Sequence, residues 1–380
     1  MIRITRPSIE ADDLQAVQAV LESGYLVQGA HVAAFEQAAA EAAGTRYAVA
    51  VSNCTAALHL ALLALGVRAG DLVVVTAYSY VATANVIELC GAQPVFVDIC
   101  PDTFNMDPVA LESTLARLMS GNLAERVKAI LPVHTFGQMA DMTAIGELAQ
   151  RHGVPVVEDA ACALGAAQHG KAAGSWGVMG CFSFHPRKAV TTGEGGMITT
   201  HDAHLVRLLR ALRSHGQDPD ASAVEFILPG YNYRMTDFQA ALGVTQMNKL
   251  ERILAARTQL AQTYDALLQD SPLTPPEIAA GNRPAYQSYV TLLPAGSEPL
   301  RAELIGLLKA EGVETGIGTW HMPLTGYFRS RYGYKPGDFP VADAVFARSL
   351  TLPLYEGMSL ADQQTVVQKT LAGLAHLGAL

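Results

Sequence analysis

Short apolar runs alternate with longer segments of helical periodicity through roughly the first two thirds of the chain. The runs are rich in β-branched residues and contain little polar alternation, which is typical of strands covered on both faces. Strand and helix in alternation predict an α/β domain built on a largely parallel sheet. The predicted strands are residues 47–52, 72–76, 94–99, 128–133, 154–159, 180–184 and 196–200, with helices at 55–65 and 84–89.

The remaining third of the chain has a different pattern. A long helix is predicted from Thr236, its N-cap, to about Leu260, and a proline-rich loop follows it. Beyond the loop, one strand-like segment mixes with two helical segments, which predicts a smaller α+β domain. We therefore expect a large domain over residues 1–254, N-terminal segment included, and a smaller C-terminal domain over residues 255–380. The loop is 270–284, the strand 286–293, and the helices 302–311 and 359–374.

Composition narrows the class of protein. Half of the 380 residues are hydrophobic and 16% are charged, which excludes a disordered chain. The net charge is −9 and no lysine- and arginine-rich run of five or more residues occurs, so no nucleic-acid partner is expected. The N-terminus has no apolar signal segment, and no run is apolar enough for a membrane span. Five scattered cysteines without a C-x-x-C pair indicate neither disulfides nor a zinc site. Together with the lack of a signal segment and of a membrane span, this pattern leads us to expect a cytoplasmic protein without a membrane partner.

A carboxylate and a lysine follow predicted strands at their carboxyl ends, which is where parallel sheets bind ligands. Asp159 ends one predicted strand, and Lys188 lies just past another, in a turn rich in glycine and threonine. Ligands of such sheets bind at the carboxyl ends of strands. A lysine that forms an imine needs close backbone approach and a site that lowers its pKa. A strand-end carboxylate can pair with a pyridinium nitrogen. These two anchors are what pyridoxal phosphate requires.

The other parts of a pyridoxal phosphate site are also present. Residues 52–56 join a strand to a helix, so backbone N–H groups at the helix start, with the Thr55 hydroxyl, can bind the phosphate. Ser183 offers a second hydroxyl. An aromatic ring commonly stacks on the pyridine, and Tyr80 is placed for it, with Tyr78 as the competing candidate.

In its motifs the chain resembles the DegT/DnrJ/EryC1/StrS family of sugar aminotransferases over essentially its whole length. The resemblance implies pyridoxal phosphate, with pyridoxamine phosphate as its second form, and the aspartate aminotransferase fold (fold type I). The block around Lys188 is the most specific. The matching segments are SGYLVQG (23–29), SNCTAALHLAL (52–62), TAYSYVATAN (76–85), PVFVDI (94–99), PVHTFGQ (132–138), EDAACALGA (158–166), CFSFHPRKAVTTGEGG (181–196), GYNYRMTDFQAALG (230–243) and HMPL (321–324).

The resemblance also implies a role for each matching residue. Lys188 would be the Schiff-base lysine and Asp159 the partner of the pyridine nitrogen. Asn232 would reach the phosphate of the other subunit, so the working unit would be a homodimer with shared sites. The remaining cofactor positions are Cys54, Thr55 and Ser183 at the phosphate, Tyr80 over the ring and Cys162 beside its phenolic oxygen; the substrate positions are Tyr25, His185 and His321.

Several of these positions also have an ordinary structural interpretation. Tyr25, His185 and His321 can equally be packing residues. Two positions depart from the family pattern, since Cys162 stands where most relatives have Gln or His, and Cys54 where many have Gly. A thiol is a weak hydrogen-bond donor, so Cys162 is as compatible with inert packing as with a cofactor contact.

The resemblance implies that the protein transfers an amino group to a keto sugar, with glutamate as the expected donor. The expected substrate is a nucleotide-linked 3- or 4-keto-deoxy sugar in amino-sugar and polysaccharide biosynthesis. A non-nucleotide keto sugar or an inosose is the alternative substrate. A sugar dehydratase of the same family would carry His in place of Lys188. A pyridoxal-phosphate-binding regulator would be expected to have lost the lysine or the aspartate.

Overall fold

This computed structural model describes residues 1–379 of the chain, and within them it contains fourteen strands and thirteen α-helices. The strands are β1 (Tyr47–Val51), β2 (Leu72–Thr76), β3 (Tyr78–Ser79), β4 (Gln93–Val97), β5 (Val127–Leu131), β6 (Val157–Asp159), β7 (Ala167–Gln168), β8 (Lys171–Ala172), β9 (Met179–Ser183), β10 (Gly196–Thr200), β11 (Asn282–Arg283), β12 (Tyr289–Leu292), β13 (Trp320–His321) and β14 (Ser349–Leu352). The helices are α1 (Ala11–Ser23), α2 (Ala30–Ala43), α3 (Cys54–Ala64), α4 (Ala82–Leu89), α5 (Pro108–Met119), α6 (Met142–His152), α7 (Ala203–Arg213), α8 (Asp237–Met247), α9 (Leu250–Leu268), α10 (Arg301–Ala310), α11 (Gly326–Tyr332), α12 (Pro340–Arg348) and α13 (Leu360–His376). Within residues 1–379, no helix is long and apolar enough to span a bilayer.

A seven-stranded sheet in the order β1-β10-β9-β6-β5-β2-β4 carries the larger part of the chain. Parallel bridges from Ile130 to Val156 and from Val133 to Asp159 join its two ladders, β1-β10-β9-β6 and β5-β2-β4. Only β10 runs antiparallel to its neighbours; the other pairs are parallel. The predicted α/β class with a mostly parallel sheet is confirmed, and each of the seven predicted strands is present with small shifts of its ends.

The sheet is buried on both faces, which explains its continuous apolar runs. All five residues of β2 are buried. Because side chains alternate along a strand, Leu72 and Val74 enter one hydrophobic core while Val73 and Val75 enter the other. Helices cover both cores, so only the strand ends are left for polar chemistry.

The predicted long helix from Thr236 to about Leu260 is wrong in one respect: it is two helices. Thr236 is the N-cap of α8, with Gln239 completing a capping box, as the sequence indicated in part. At the end of α8 the backbone tightens, since the N–H of Lys249 donates to Gln246 O at 3.0 Å. The Lys249 ammonium then reaches α1, where it contacts Asp12 and Asp13 at 2.7 Å each. This tertiary contact accompanies the break before α9 begins.

The C-terminal part of the chain has a core of its own. The antiparallel pair β12 and β14 packs with α9, α10 and α13 around Tyr264 and Tyr289. The N-terminal residues join this core, because Ile2 bridges to Val313 and the Ile4 carbonyl accepts from Leu354. The domain boundary after residue 254 falls inside α9 and stays a prediction.

Candidate active site

Asp159 ends β6 at the carboxyl edge of the sheet and is 3% exposed. One carboxylate oxygen, Oδ2, accepts from the Thr83 hydroxyl at 2.7 Å, and Oδ1 accepts from the Ala161 N–H at 3.1 Å. Burial raises the pKa of Asp159, while the hydrogen bonds from Thr83 and Ala161 and the charge of Lys188 oppose that rise. The site thus contains a buried, oriented carboxylate that can hold a cationic N–H group.

Lys188 projects from the turn after β9, whose backbone is fixed by its own hydrogen bonds. The Lys188 N–H donates to His185 O at 2.8 Å, and the Thr191 hydroxyl donates to Phe184 O at 2.8 Å. Gly193 has a φ of +79°, a left-handed conformation that favours glycine. The sequence therefore builds a compact turn that returns the lysine side chain to the sheet edge.

The Lys188 ammonium has a single hydrogen-bond partner among residues 1–379, the Sγ of Cys162, at 3.1 Å. Burial lowers the pKa of Lys188, but the adjacent Cys162 and the charge of Asp159 outweigh it, and the net direction is upward. In those residues, no carboxylate lies within salt-bridge distance of the amine, so Lys188 is half-buried without the ion pair that a structural lysine there would need.

The start of α3 faces the same edge of the sheet. Asn53 is the N-cap, and its side chain accepts from the Ala56 N–H at 2.9 Å. The amides of Cys54 and Thr55, the first two residues of the helix, have no acceptor within it, so they are available to an anion. Burial, with the charge of Asp159, raises the pKa of the Cys54 thiol, which is therefore neutral near pH 7.

Ser183 lies beside this helix start because of the strand register. Gly196 pairs with Val51 on one side and with Ser183 on the other. A Cβ at Gly196 would lie 2.3 Å from the Asn53 carbonyl oxygen, so only glycine allows the backbones to approach so closely. The hydroxyl of Ser183 and the amides of α3 therefore converge on one corner of the sheet.

The two candidate tyrosines are distinguished by their surroundings. Tyr78 is fully buried and donates to Ser349 Oγ at 3.0 Å, which makes it a core residue. Tyr80 follows β3 and is 64% exposed, so its ring is available to a ligand. The stacking role of Tyr80 stays a prediction.

The three predicted substrate residues differ in their exposure. Tyr25 is exposed, and His185 is half-buried with its Nδ1 accepting from the Arg187 N–H at 3.2 Å. Burial lowers the pKa of both His185 and His321. His321 is buried, with Nε2 3.2 Å from Asp343 Oδ1, but neither of its ring nitrogens makes a hydrogen bond within residues 1–379. The substrate roles of Tyr25, His185 and His321 stay predictions.

Asn232 lies on the surface, next to Tyr233, whose carbonyl accepts from the Ser52 N–H at 2.8 Å just before the start of α3. It is exposed between Tyr231 and Tyr233, and its backbone bridges to Ser214. No hydrogen bond of the Asn232 side chain is present within residues 1–379, and its contact with the phosphate of a second subunit stays a prediction.

Sequence reasoning missed Thr83 and the pair His134 and Glu158. Thr83 lies in the quoted segment after β2, and its position in the first turn of α4 was the available signal. Glu158 is fully buried and accepts from His134 Nε2 at 2.9 Å. It also accepts three backbone N–H groups, from Gly174 at 2.8 Å, Trp176 at 2.7 Å and Gly177 at 2.8 Å, which fix the loop beside β6.

Together these groups fit pyridoxal phosphate. The amine of Lys188 can react with its aldehyde, the carboxylate of Asp159 can hold its protonated ring nitrogen, and the start of α3 can bind its phosphate. The buried carboxylate of Asp159 suits a cofactor that carries a cationic ring nitrogen. The expected lowering of the pKa of Lys188 is wrong for the chain alone, because Cys162 and the charge of Asp159 outweigh burial and the pKa is raised.

The fold and this donor set define a pyridoxal-phosphate-dependent transaminase. The sequence profile of the DegT/DnrJ/EryC1/StrS aminotransferase family matches residues 7–371. The chain belongs to that family, and the recognition made from its motifs is confirmed.

Similar proteins agree with this assignment. The chain is 37% identical to GDP-perosamine synthase of Caulobacter vibrioides, covering 96% of each chain. It is 38% identical to the spore coat polysaccharide biosynthesis protein SpsC of Bacillus subtilis, covering 95% of this chain and 94% of that one. A structure of the putative sugar aminotransferase Spr1654 from Streptococcus pneumoniae, in its PMP form, superposes with a TM-score of 0.93 at 27% identity, covering 99% and 100%.

Proposed function

We propose that this aminotransferase moves an amino group from glutamate to a nucleotide-linked 3- or 4-keto-deoxy sugar in amino-sugar and polysaccharide biosynthesis. The observation that carries the proposal is the amine of Lys188, whose hydrogen-bond partner is the thiol of Cys162, at the same sheet edge as the buried carboxylate of Asp159. The names of the two curated relatives, GDP-perosamine synthase and a spore coat polysaccharide biosynthesis protein, support a sugar substrate. Because Lys188 is present, amino transfer is favoured over the dehydratase reaction.

Each proposed site residue has one task. Bound pyridoxal phosphate supplies an aldehyde and an electron-withdrawing ring. Lys188 Nζ would hold the aldehyde of the cofactor and, with the amino donor bound, would be the group that accepts the proton from the donor's α-carbon. Asp159 keeps the ring nitrogen protonated, so charge that develops at the reacting carbon is stabilised. Thr55 and Ser183 hold the phosphate, with Cys54 contributing its backbone N–H.

A homodimer with shared sites is part of the proposal. Several large apolar side chains are exposed on the segments near Asn232, among them Val224 at 73%, Phe226 at 62% and Val27 at 54%. Exposed apolar surface of this kind is typical of a protein interface. A second copy of the chain would cover it and bring the partner's phosphate to Asn232.

The substrate is tested by incubating the protein and pyridoxal phosphate with glutamate and a panel of nucleotide-linked 3- and 4-keto sugars. The product is identified by mass and NMR. We expect an amino sugar nucleotide. Turnover restricted to free keto sugars or an inosose would establish the alternative substrate, and cofactor binding without turnover of any ketone would favour a regulatory role.

The shared site is tested by mixing two variants that are each inactive, Lys188→Ala and Asn232→Ala. In a heterodimer, one site combines the intact lysine of one chain with the intact asparagine of the other. Random pairing makes half of the dimers mixed, with one intact site of two, so about a quarter of native activity should return. No recovery, in a mixture shown to exchange subunits, would contradict a shared site.

A further inference from the structure

A line of three buried side chains leads from the interior to the carboxylate of Asp159. The Thr83 hydroxyl lies 2.7 Å from Asp159 Oδ2, and the Ser79 hydroxyl lies 3.0 Å from the Thr83 hydroxyl. Their exposed fractions are 5% for Ser79, 1% for Thr83 and 3% for Asp159. Bulk water therefore has little access to these groups, and their hydrogen bonds must be made to one another or to other protein groups, such as the Ala161 N–H that donates to Asp159.

The number of available protons decides which group donates and which accepts in the hydrogen bonds that join Ser79, Thr83 and Asp159. Each hydroxyl has one proton to donate. When Asp159 is ionised, Thr83 donates to it and Ser79 donates to Thr83, so every donor has an acceptor. If Asp159 were protonated and donated to Thr83, Thr83 would donate to Ser79, and Ser79 would need a further acceptor; its hydroxyl makes no other hydrogen bond within residues 1–379. The arrangement is thus complete for the carboxylate and incomplete for the acid.

The two hydroxyl residues are held by separate elements. Ser79 ends β3, where it pairs with Trp320 of β13. Thr83 lies in the first turn of α4, and its N–H donates to Tyr80 O at 3.1 Å. The pairing of β3 with β13 therefore fixes Ser79, and the start of α4 fixes Thr83.

We propose that Ser79 and Thr83 are positioning residues that keep Asp159 ionised and aim it at the ring nitrogen of the cofactor. This inference rests on the proposed role of Asp159. Burial disfavours the carboxylate, and the hydrogen bond from Thr83 lowers the pKa of Asp159 against that effect. The remaining lone pairs of the carboxylate are then available to the cofactor, while the backbone N–H of Ala161 limits rotation.

The test uses the full chain and the variants Thr83→Val, Thr83→Ser and Ser79→Ala. Valine keeps the shape of threonine and removes the donor, so pyridoxal phosphate affinity, measured by absorbance titration, should fall about tenfold or more. The acid limb of the pH profile for the half-reaction with glutamate should move to higher pH, because Asp159 then protonates more readily. Thr83→Ser should restore both properties, and Ser79→Ala should shift both in the same direction by less.

Thr76→Val is the matched control. Thr76 ends β2, is fully buried, and its hydroxyl has no hydrogen-bond partner within residues 1–379. The control should leave cofactor affinity and the pH profile unchanged. Native-like affinity and pH profile in Thr83→Val would overturn the proposal, and if that variant does not fold, the same result in Ser79→Ala would do so. Failure of the native chain itself to bind pyridoxal phosphate would instead contradict the proposed function.

Discussion

The amine of Lys188 lies 3.1 Å from the sulfur of Cys162, although the two residues are 26 positions apart. Cys162 follows β6 and Lys188 follows β9, and the parallel pairing of these strands brings the two turns to one edge. Cys162, one of the two residues in which this chain departs from the family pattern, thus directly contacts the amine proposed to bind the cofactor.

Replacing Cys162 with Gln should be tolerated and should change the colour titration of the bound cofactor. An amide N–H donates better than a thiol to the phenolic oxygen of the ring, which lowers the pKa of the chromophore by about one unit. Absorbance spectra recorded from pH 5 to 10 measure it. Cys100→Ser, at a cysteine that faces Asp107, is the control and should titrate as the native protein does. An unchanged pKa in Cys162→Gln would show that Cys162 does not touch the phenolic oxygen.

Lys188→Ala should abolish the half-reaction with glutamate. The variant loses both the covalent anchor and the group that moves the proton, and general acid–base catalysis alone contributes roughly 10²–10⁴-fold. Single-turnover absorbance with glutamate measures the loss, and borohydride treatment of the native holoenzyme should trap the cofactor on Lys188. Retained turnover in the variant would rule out the assigned role.

Asp159→Asn should slow the half-reaction by roughly a hundredfold or more, because a neutral amide does not keep the ring nitrogen protonated. The folded structure should persist, since the amide oxygen can accept from the Ala161 N–H while the amide NH2 donates to the Thr83 hydroxyl. Rapid-mixing kinetics with glutamate give the rate, and circular dichroism checks the fold. A rate near that of the native enzyme would contradict the electrostatic role.

Lys249→Met should destabilise the protein at neutral pH by about 3–5 kcal/mol, because it leaves the buried carboxylate of Asp13 without its cation. Urea unfolding at pH 7 measures the free energy. The double variant Asp13→Asn with Lys249→Met should recover part of the loss, and a single variant as stable as the native chain would show that the pair is energetically neutral.

The ion pair of Asp13 and Lys249 also predicts how the stability of the fold changes at low pH. Burial raises the pKa of Asp13, but the hydrogen bond from Lys249 and those from its other partners outweigh it, and the net pKa lies below the ordinary 3.8. A carboxyl with a lower pKa in the folded state stabilises the fold above the unfolded pKa and loses that contribution as pH falls through the folded pKa. Native stability should therefore drop below about pH 4, and the drop should be smaller in Asp13→Asn.

The sequence by itself determined the sheet and the corner where its chemistry lies. Apolar runs such as LVVVT in β2 indicate by themselves that the strand is buried, because a strand covered on both faces needs apolar residues at every position. Asp159 and Lys188 were identified for the same local reason, as polar residues directly after such runs.

Only the tertiary structure decided which side chains meet. Thr83 and Asp159 are 76 positions apart, and their contact depends on how α4 packs against the end of β6. The break between α8 and α9 likewise coincides with the reach of Lys249 to α1. His321 has the same chemistry in an open site or a core, and its burial against Asp343 follows from the pairing of β13 with β3. Periodicity reports the environment of a segment, whereas contacts across crossover connections depend on the packing of the whole chain.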